Sequence, residues 1–284
     1  MQALILAAGY GTRLSRDITN DPNGGYQHLL GVPKPLVPLG GIPLISKWIT
    51  ELERSEIEVS DIFVVSNQRF YHLFVQWAKN FDFPVANIIN DGTTCNDDRL
   101  GAIRDIKLAF ETKKLTSNLI IIGGDTIFFR DFKLNSIIER FRSLNHDEKS
   151  DSASQLPVNV ILSSPVVDTT KSGIIEVDVN KKVTSLLEKP LPSETSSRLG
   201  SPCFYLLHYQ SLLLLCDYVA NSSSLQEVDA PGVFISWLIK RISTYAEEIS
   251  GRFDVGALKT YIEADRYFTS LENGNLQSCA MAKE

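Results

Sequence analysis

The chain has 284 residues, of which 43% are hydrophobic, 22% charged and 9% aromatic. These values are typical of a globular domain, and they exclude a disordered, collagen-like or coiled-coil chain. Acidic residues number 34 against 28 Lys and Arg residues, which gives a formal net charge of −6. Binding of nucleic acid or of an anionic membrane through bulk positive charge is therefore not expected, and an anionic ligand must be met by local cations.

The cysteines and the first residues predict the compartment. Cys95, Cys203, Cys216 and Cys279 lie far apart without a C-x-x-C pair, so neither a disulfide framework nor a zinc knuckle is expected. The first apolar run is short and has no basic leader, and no run approaches the roughly 18 apolar residues of a membrane span. We therefore expect a cytoplasmic protein with no membrane segment.

Apolar runs and helical patterns alternate along the first half of the chain. The alternation predicts an α/β fold with a mostly parallel sheet and helices on both faces. Buried strands are predicted at residues 3–8, 62–65, 85–89, 119–122 and 158–162. Helices are predicted at residues 44–52, 70–77, 100–110 and 134–141.

The sequence pattern of the second half differs and predicts short strands and long loops. A polar surface loop is predicted at residues 145–155 and marks the best internal seam. We expect one domain over residues 1–272, with halves at about 1–145 and 156–272, and a frayed tail at 273–284. The predicted elements are a hairpin at 173–177 and 183–187, a loop at 190–201, and helices at 210–219, 233–242 and 258–271.

A glycine-rich turn follows the first predicted strand, with the sequence Gly9-Tyr10-Gly11-Thr12-Arg13. Glycines at this place let backbone N–H groups face an anion, and Arg13 adds a planar donor fork suited to phosphate oxygens. Leu14 stands where the dinucleotide fingerprint needs a third glycine, and the Gly-Lys-Ser/Thr of a P-loop is absent. The pattern indicates a phosphate site of another kind, or else an ordinary turn with a solvated arginine.

Lys34 lies between Pro33 and Pro35. The two prolines restrict the backbone on both sides, which would hold one ammonium group in a defined place. A single lysine at a rigid bend is usually just exposed, so the interpretation depends on its position after the first turn.

Together these motifs resemble a known family. Leu6-Ala7-Ala8-Gly9-x-Gly11-Thr12-Arg13-Leu14 followed by Pro33-Lys34-Pro35-Leu36 closely resembles the nucleotidyltransferases that activate sugar 1-phosphates. The resemblance spans about residues 1–268 and implies a Rossmann-like domain, with a nucleotide-binding half in 1–145 and a small β-containing sugar-phosphate-binding half in 156–272. Later features follow the family order: Gly123-Gly124-Asp125, residues 172–178, Glu188-Lys189-Pro190 and Phe253-Asp254-Val255-Gly256.

The resemblance also implies substrates and residue roles. A nucleoside triphosphate and a sugar 1-phosphate would give a nucleoside diphosphate sugar and pyrophosphate, and a homo-oligomer is compatible with the sequence. Asp125 and Asp254 would hold Mg²⁺, which suits two carboxylates plus phosphate oxygens; Asp125 follows a predicted strand at the edge where α/β sheets bind ligands. The other roles implied are catalysis by Arg13 and Lys34, nucleotide binding by Ala8, Gly9, Gly11 and Thr12, and sugar-phosphate binding by Gly173, Glu188 and Lys189.

Two departures keep other functions open. A polar insert at residues 20–27 lengthens the interval between the first two motifs, and residues 90–102 match the family's base-reading loop poorly. Asp97 and Asp98 in that loop would suit a cationic substrate, as in a cytidylyltransferase acting on an aminoalkyl phosphate or phosphonate. A catalytically silent, nucleotide-binding relative is the alternative from another class.

Overall fold

The computed structural model describes residues 1–145 and 156–281, with side chains described up to residue 273. The strands in chain order are β1 Gln2–Leu6, β2 Pro38–Leu39, β3 Ile42–Pro43, β4 Ile62–Ser66, β5 Ile88–Asn90, β6 Leu119–Gly123, β7 Thr126–Phe128, β8 Val158–Pro165, β9 Gly173–Val177, β10 Val183–Glu188, β11 Leu199–Ser201, β12 Phe204–Leu207, β13 Ser243–Glu248 and β14 Arg252–Asp254. The helices are α1 Thr12–Thr19, α2 Leu44–Arg54, α3 Tyr71–Phe81, α4 Ala102–Lys113, α5 Leu134–Asn145, α6 Tyr209–Ala220, α7 Gln226–Asp229, α8 Pro231–Leu238 and α9 Leu258–Met281.

Ten strands of the described chain form one central sheet in the order β10-β9-β11-β8-β12-β6-β1-β4-β5, with β13 beside β8. The block β6-β1-β4-β5 is parallel, as is the β8–β13 pair. The remaining pairs are antiparallel, and β12 joins the two halves by pairing with both β6 and β8. The predicted α/β class is confirmed, with the antiparallel strands concentrated in the second half.

The strands of the block β6-β1-β4-β5 are apolar except at their ends, because helices cover both of their faces. Neighbouring residues of β1 point to opposite faces: Ala3 and Ile5 belong to one core cluster, and Leu4 to the other. Side chains of α2, α3, α5 and α9 fill the first cluster, and those of α4, α6 and α8 the second. Helices on both faces are thus as predicted. No helix within residues 1–145 and 156–281 is long and apolar enough to cross a membrane.

The predicted hairpin is present, with β9 antiparallel to β10. Three other predicted elements are correct over only part of their range. The expected loop at 190–201 ends in β11, which pairs with β8 and β9. The helix expected at 233–242 ends at Leu238 and is followed by β13, whose buried Thr244 and Ala246 alternate with more exposed residues in the two-residue period of a strand. Residues 85–87 form a short 3-10 turn before β5.

Several boundaries also differ from the prediction. β1 ends at Leu6 rather than at residue 8, and α9 continues to Met281, where a helix end near residue 271 and a frayed tail were expected. Asn145 is the last residue of α5, and the rest of the predicted polar loop lies outside the described residues. The proposed division into two halves of one domain stays a prediction.

Candidate active site

The predicted first turn and Asp125 meet at the carboxyl edge of the sheet, because β1 and β6 are neighbours. The Gly124 N–H donates to the Leu6 carbonyl over 2.9 Å, so the loop after β6 touches the end of β1. A cavity of about 280 Å³ opens at this edge. Its lining residues are Leu6, Ala7, Ala8, Gly9, Gly11, Lys34, Pro35, Asp91, Arg99, Gly101, Ala102, Asp105, Gly123, Gly124, Asp125, Cys203, Asp229 and Pro231.

The first turn is held from two sides. Gly11 adopts a left-handed conformation (φ 63°) that lets the chain pass directly from the turn into α1, which suits glycine. The buried Asn67 donates from Nδ2 to the Ala8 carbonyl over 2.7 Å. The Tyr10 hydroxyl lies 2.7 Å from Thr93 Oγ1 and donates to it, because the Thr93 hydroxyl proton is committed to Asp91. Sequence reasoning missed Asn67 and Thr93, which support the turn only after β4 and β5 pair beside β1.

Lys34 and Asp125 form an ion pair at the cavity wall, with 2.9 Å between Nζ and Oδ2. Lys34 begins a short 3-10 turn and its side chain is 19% exposed, so the ammonium group is well held. Burial opposes ionisation of Asp125, but the Lys34 charge and hydrogen bond outweigh it and hold the pKa of Asp125 below its ordinary value. The structure thus brings these two motif residues together.

Asp254 lies next to Asp125. It ends β14, where it is opposite Thr126 of β7, and the Val255 N–H donates to the Asp125 carbonyl over 2.8 Å. Asp254 Oδ1 is buried and has no hydrogen-bond partner among the described residues. Burial, and then the charge of Asp125, raise the pKa of Asp254 above its ordinary value. This arrangement leaves one buried carboxylate oxygen without a hydrogen-bond partner among the described residues.

Arg13 lies beside Asp254 rather than in the cavity wall. Its Nε donates to the Gly256 carbonyl over 2.8 Å. Gly256 makes this approach possible, because a Cβ at that position would overlap the Arg13 guanidinium. Thr12 and Arg13 are exposed, whereas Ala8, Gly9 and Gly11 line the cavity.

The three residues predicted for sugar-phosphate binding also lie together. Gly173 and Glu188 are directly opposite on β9 and β10, and Lys189 Nζ is 3.8 Å from Glu188 Oε1. Glu188 packs against Gly173 and Gly232, and this burial raises the pKa of Glu188. None of the three predicted residues lines the 280 Å³ cavity, so they form a separate surface beside it.

Arg252, which sequence reasoning missed, connects the two surfaces. Its Nη2 donates to Ser172 Oγ over 2.9 Å, one residue before Gly173. Its charge also favours the ionised forms of Asp125 and Asp254, so the guanidinium lies within electrostatic reach of both. The signal available in the sequence was its place two residues before Asp254.

The site's donors fit a hard divalent cation. Asp125 and Asp254 present adjacent carboxylates, and the unpartnered Asp254 Oδ1 is the kind of oxygen that Mg²⁺ accepts as a ligand. Across the part of the chain that the structure describes, no group of three or more His, Cys, Asp or Glu side chains is placed to hold a metal. The fit is therefore to Mg²⁺ held by two carboxylates and completed by substrate phosphate oxygens, as this ion commonly is.

The 20–27 insert lies outside the cavity lining, whereas the 90–102 segment contributes Asp91, Arg99, Gly101 and Ala102 to it. In the 20–27 insert, Gln27 donates to the Ile18 carbonyl of α1, and Tyr26 packs edge-on against Tyr261 of α9. Asp98 accepts hydrogen bonds from the Thr94 and Cys95 backbone N–H groups of its own loop. The side chains of Tyr26, Gln27 and Asp98 thus make contacts with other parts of the same chain.

Comparison with known proteins adds independent findings. The family model described as nucleotidyl transferase matches residues 2–270. The chain is 24% identical to the bifunctional protein GlmU of Methanococcus vannielii, covering 94% of this chain and 55% of that protein. It is 27% identical to mannose-1-phosphate guanyltransferase of Yarrowia lipolytica, covering 100% and 69%. The chain thus spans about half the length of the first of these relatives. The crystal structure of apo UDP-glucose pyrophosphorylase superposes with a TM-score of 0.70 at 16% identity, covering 96% of this chain and 99% of that one.

Proposed function

Because this chain belongs to the nucleotidyl transferase family, we propose that it transfers a nucleotidyl group from a nucleoside triphosphate to a sugar 1-phosphate. A phosphate oxygen of the sugar 1-phosphate attacks the α-phosphorus, the bond to the β-phosphate oxygen breaks, and pyrophosphate leaves. The observation that carries the proposal is the Lys34–Asp125 pair with Asp254 beside it, at the cavity formed by the first turn. Similarity to mannose-1-phosphate guanyltransferase supports a sugar 1-phosphate as acceptor.

The obstacle to this reaction is charge rather than proton transfer. The attacking phosphate is already ionised at neutral pH, so no general base is required. Two unit charges about 4 Å apart repel by about 4 kcal/mol at an effective dielectric constant near 20, and the substrates together carry several such charges. Lys34 and Arg13 would neutralise the triphosphate, while Arg252 and Lys189 would orient the acceptor phosphate in line.

Asp125 and Asp254 are the residues that would hold Mg²⁺, and when bound the ion would supply charge neutralisation at the α-phosphoryl group. Before substrates bind, the Lys34 ammonium group neutralises the charge of Asp125. Lys34 is therefore poised to exchange its carboxylate partner for a phosphate oxygen.

The test is pyrophosphate release by the purified chain with Mg²⁺. Five nucleotides (ATP, CTP, GTP, UTP and dTTP) are crossed with hexose 1-phosphates and with aminoalkyl phosphates. Turnover with a hexose 1-phosphate supports the proposal. Turnover with an aminoalkyl phosphate alone would favour the cytidylyltransferase alternative, and tight nucleotide binding without turnover would favour a silent relative. Asp97 and Asp98, the residues on which the first alternative was based, do not line the cavity.

Arg252→Gln is expected to raise KM for the acceptor about tenfold, with little change in KM for the nucleotide. The reason is the loss of one charge-assisted hydrogen bond to the acceptor phosphate, and a tenfold change corresponds to about 1.4 kcal/mol. Steady-state kinetics with each substrate varied in turn measure both constants. Arg241→Gln is the control, because Arg241 is exposed and lies over the Trp237 ring, outside the cavity lining. A larger effect on the nucleotide than on the acceptor would contradict this role.

A further inference from the structure

The cavity extends along the sheet edge to a second end. Asp125 follows β6 and Asp91 follows β5, and these strands are the two outer members of the block β6-β1-β4-β5. Asp91, Arg99, Asp105 and Asp229 line the cavity at the β5 end. On the proposed function, the phosphates lie at the Lys34 end, so the nucleoside part of the nucleotide would lie toward this second end.

Asp105 is the unusual residue there. It lies in the first turn of α4, is only 6% exposed, and lines the cavity. Its Oδ1 is fully buried without a partner, and the side chain makes no hydrogen bond with any described residue. Burial, followed by the charges of Asp91 and Asp229, raises the pKa of Asp105 to about 8. At neutral pH the group therefore carries a proton and offers one donor and one acceptor.

The charged neighbours of Asp105 are already engaged. The Asp91 carboxylate accepts from the Thr93 N–H over 2.7 Å and from its hydroxyl over 2.8 Å. The Arg99 guanidinium is bound to Asp229 through two hydrogen bonds of 3.0 and 3.2 Å. Asp105 is therefore the side chain at this end with no hydrogen-bond partner among the described residues, in a wall that is otherwise rich in acceptors.

We propose that Asp105 is a specificity-determining residue that selects a nucleobase with an exocyclic amino group beside an unprotonated ring nitrogen, as in cytosine and adenine. The carboxyl oxygen accepts from the amino group, and the carboxyl O–H donates to the ring nitrogen. The second amino N–H remains available to the neighbouring carboxylates. Uracil, thymine and hypoxanthine instead present a carbonyl oxygen at this position, which faces Asp91 and Asp229 unfavourably.

This inference rests on the proposed function and deepens it, so its test separates the two. Isothermal titration calorimetry of the full chain with Mg²⁺ compares CTP with UTP, and ATP with ITP. Each pair replaces the amino group with an oxo group at nearly constant size. The amino member of at least one pair is expected to bind at least tenfold more tightly.

Two substitutions of Asp105 isolate its role. Asp105→Asn keeps one donor and one acceptor in the same shape, so the amino preference should be retained. Asp105→Leu removes both, so the preference should fall to threefold or less. The matched control is Asp97→Asn, which removes an exposed carboxylate from the preceding loop and should leave the preference unchanged. Thermal unfolding of each variant confirms that it is folded.

Three results would overturn the assignment. If UTP binds as tightly as CTP or more tightly, and ITP as tightly as ATP or more tightly, the site does not select an amino group. An unchanged amino preference in Asp105→Leu would show that another residue recognises the base. Loss of aminoalkyl phosphate binding in Asp105→Leu, with nucleotide affinities unchanged, would assign this end of the cavity to a cationic acceptor. In the first two cases the proposed function is untouched, because pyrophosphate release with a hexose 1-phosphate tests it separately. The third case would also favour the cytidylyltransferase alternative, and absence of binding by any nucleotide would overturn both the inference and the proposed function.

Discussion

Lys34→Ala is expected to lower kcat by about 10²- to 10³-fold while leaving the chain folded. Lys34 supplies the ammonium group that lies 2.9 Å from Asp125 at the cavity wall, and no other lysine or arginine among the described residues lines the cavity except Arg99. Arg99 is bound to Asp229 at the other end, so it does not substitute for Lys34. Removing one preorganised group that stabilises transition-state charge typically costs a factor of this size.

The same substitution should have a small effect on stability. Asp125 loses its partner, but its side chain is 38% exposed, so hydration replaces much of the interaction. We expect the free energy of unfolding to fall by about 0.5–1 kcal/mol. Chemical denaturation and steady-state kinetics measure the two effects, with Lys133→Ala as the control because Lys133 is an exposed lysine. A folded Lys34→Ala protein with kcat within threefold of the unsubstituted chain would contradict the proposed role.

Asp254→Asn is expected to remove turnover and yet increase stability. The loss of one of two carboxylates for Mg²⁺ should cost several kcal/mol of transition-state stabilisation, which is more than about 10²-fold in kcat. In the folded chain, the Asp254 carboxylate is buried beside Asp125 with an unpartnered oxygen. Removing that charge should raise the free energy of unfolding at pH 7 by about 0.5–2 kcal/mol, the range common for a single stabilising substitution.

The raised pKa of Asp254 also predicts how the stability gain of Asp254→Asn varies with pH. Because the pKa of Asp254 is higher in the folded chain than in the unfolded chain, the unfolded chain releases this proton first as the pH rises. The destabilisation therefore begins near pH 3.9, the ordinary value for Asp, and is complete once the pH exceeds the folded-state pKa. Urea denaturation of the variant and the unsubstituted chain at pH 4 and pH 7 should show a difference that is larger at pH 7. Asp217→Asn, at an exposed aspartate, should show no such difference; a less stable Asp254→Asn protein at pH 7 would overturn the prediction.

The position of Asp125 was predictable because its signals are local, whereas Lys34 and Asp254 were assigned from the family resemblance. A fully apolar run followed by a glycine turn specifies a buried parallel strand and the loop at its carboxyl end. Ligands in open α/β sheets bind at that edge, so Asp125 after β6 could be placed beside Gly9 and Gly11 without knowing the strand order. The hairpin that pairs Gly173 with Glu188 was equally evident from two short strands around Asn180.

What the sequence did not show depends on contacts between distant segments. β13 has a mixed composition and becomes a strand by pairing with β8, 80 or more positions earlier in the chain. Arg252 connects the carboxylates to Ser172 only after β14 pairs with β7. Asn67 supports the first turn only because β4 lies beside β1.

Asp105 illustrates the same limit most clearly. By itself the sequence determined the α/β class, the first turn and the candidate residues for phosphate and cation binding, because these follow from local hydrophobic patterns and short motifs. In the sequence, Asp105 is one polar residue in an amphipathic helix. Its burial, its lack of a partner and its protonation at neutral pH were decided only by the tertiary structure, since desolvation and the charges of Asp91 and Asp229 act through space rather than along the chain.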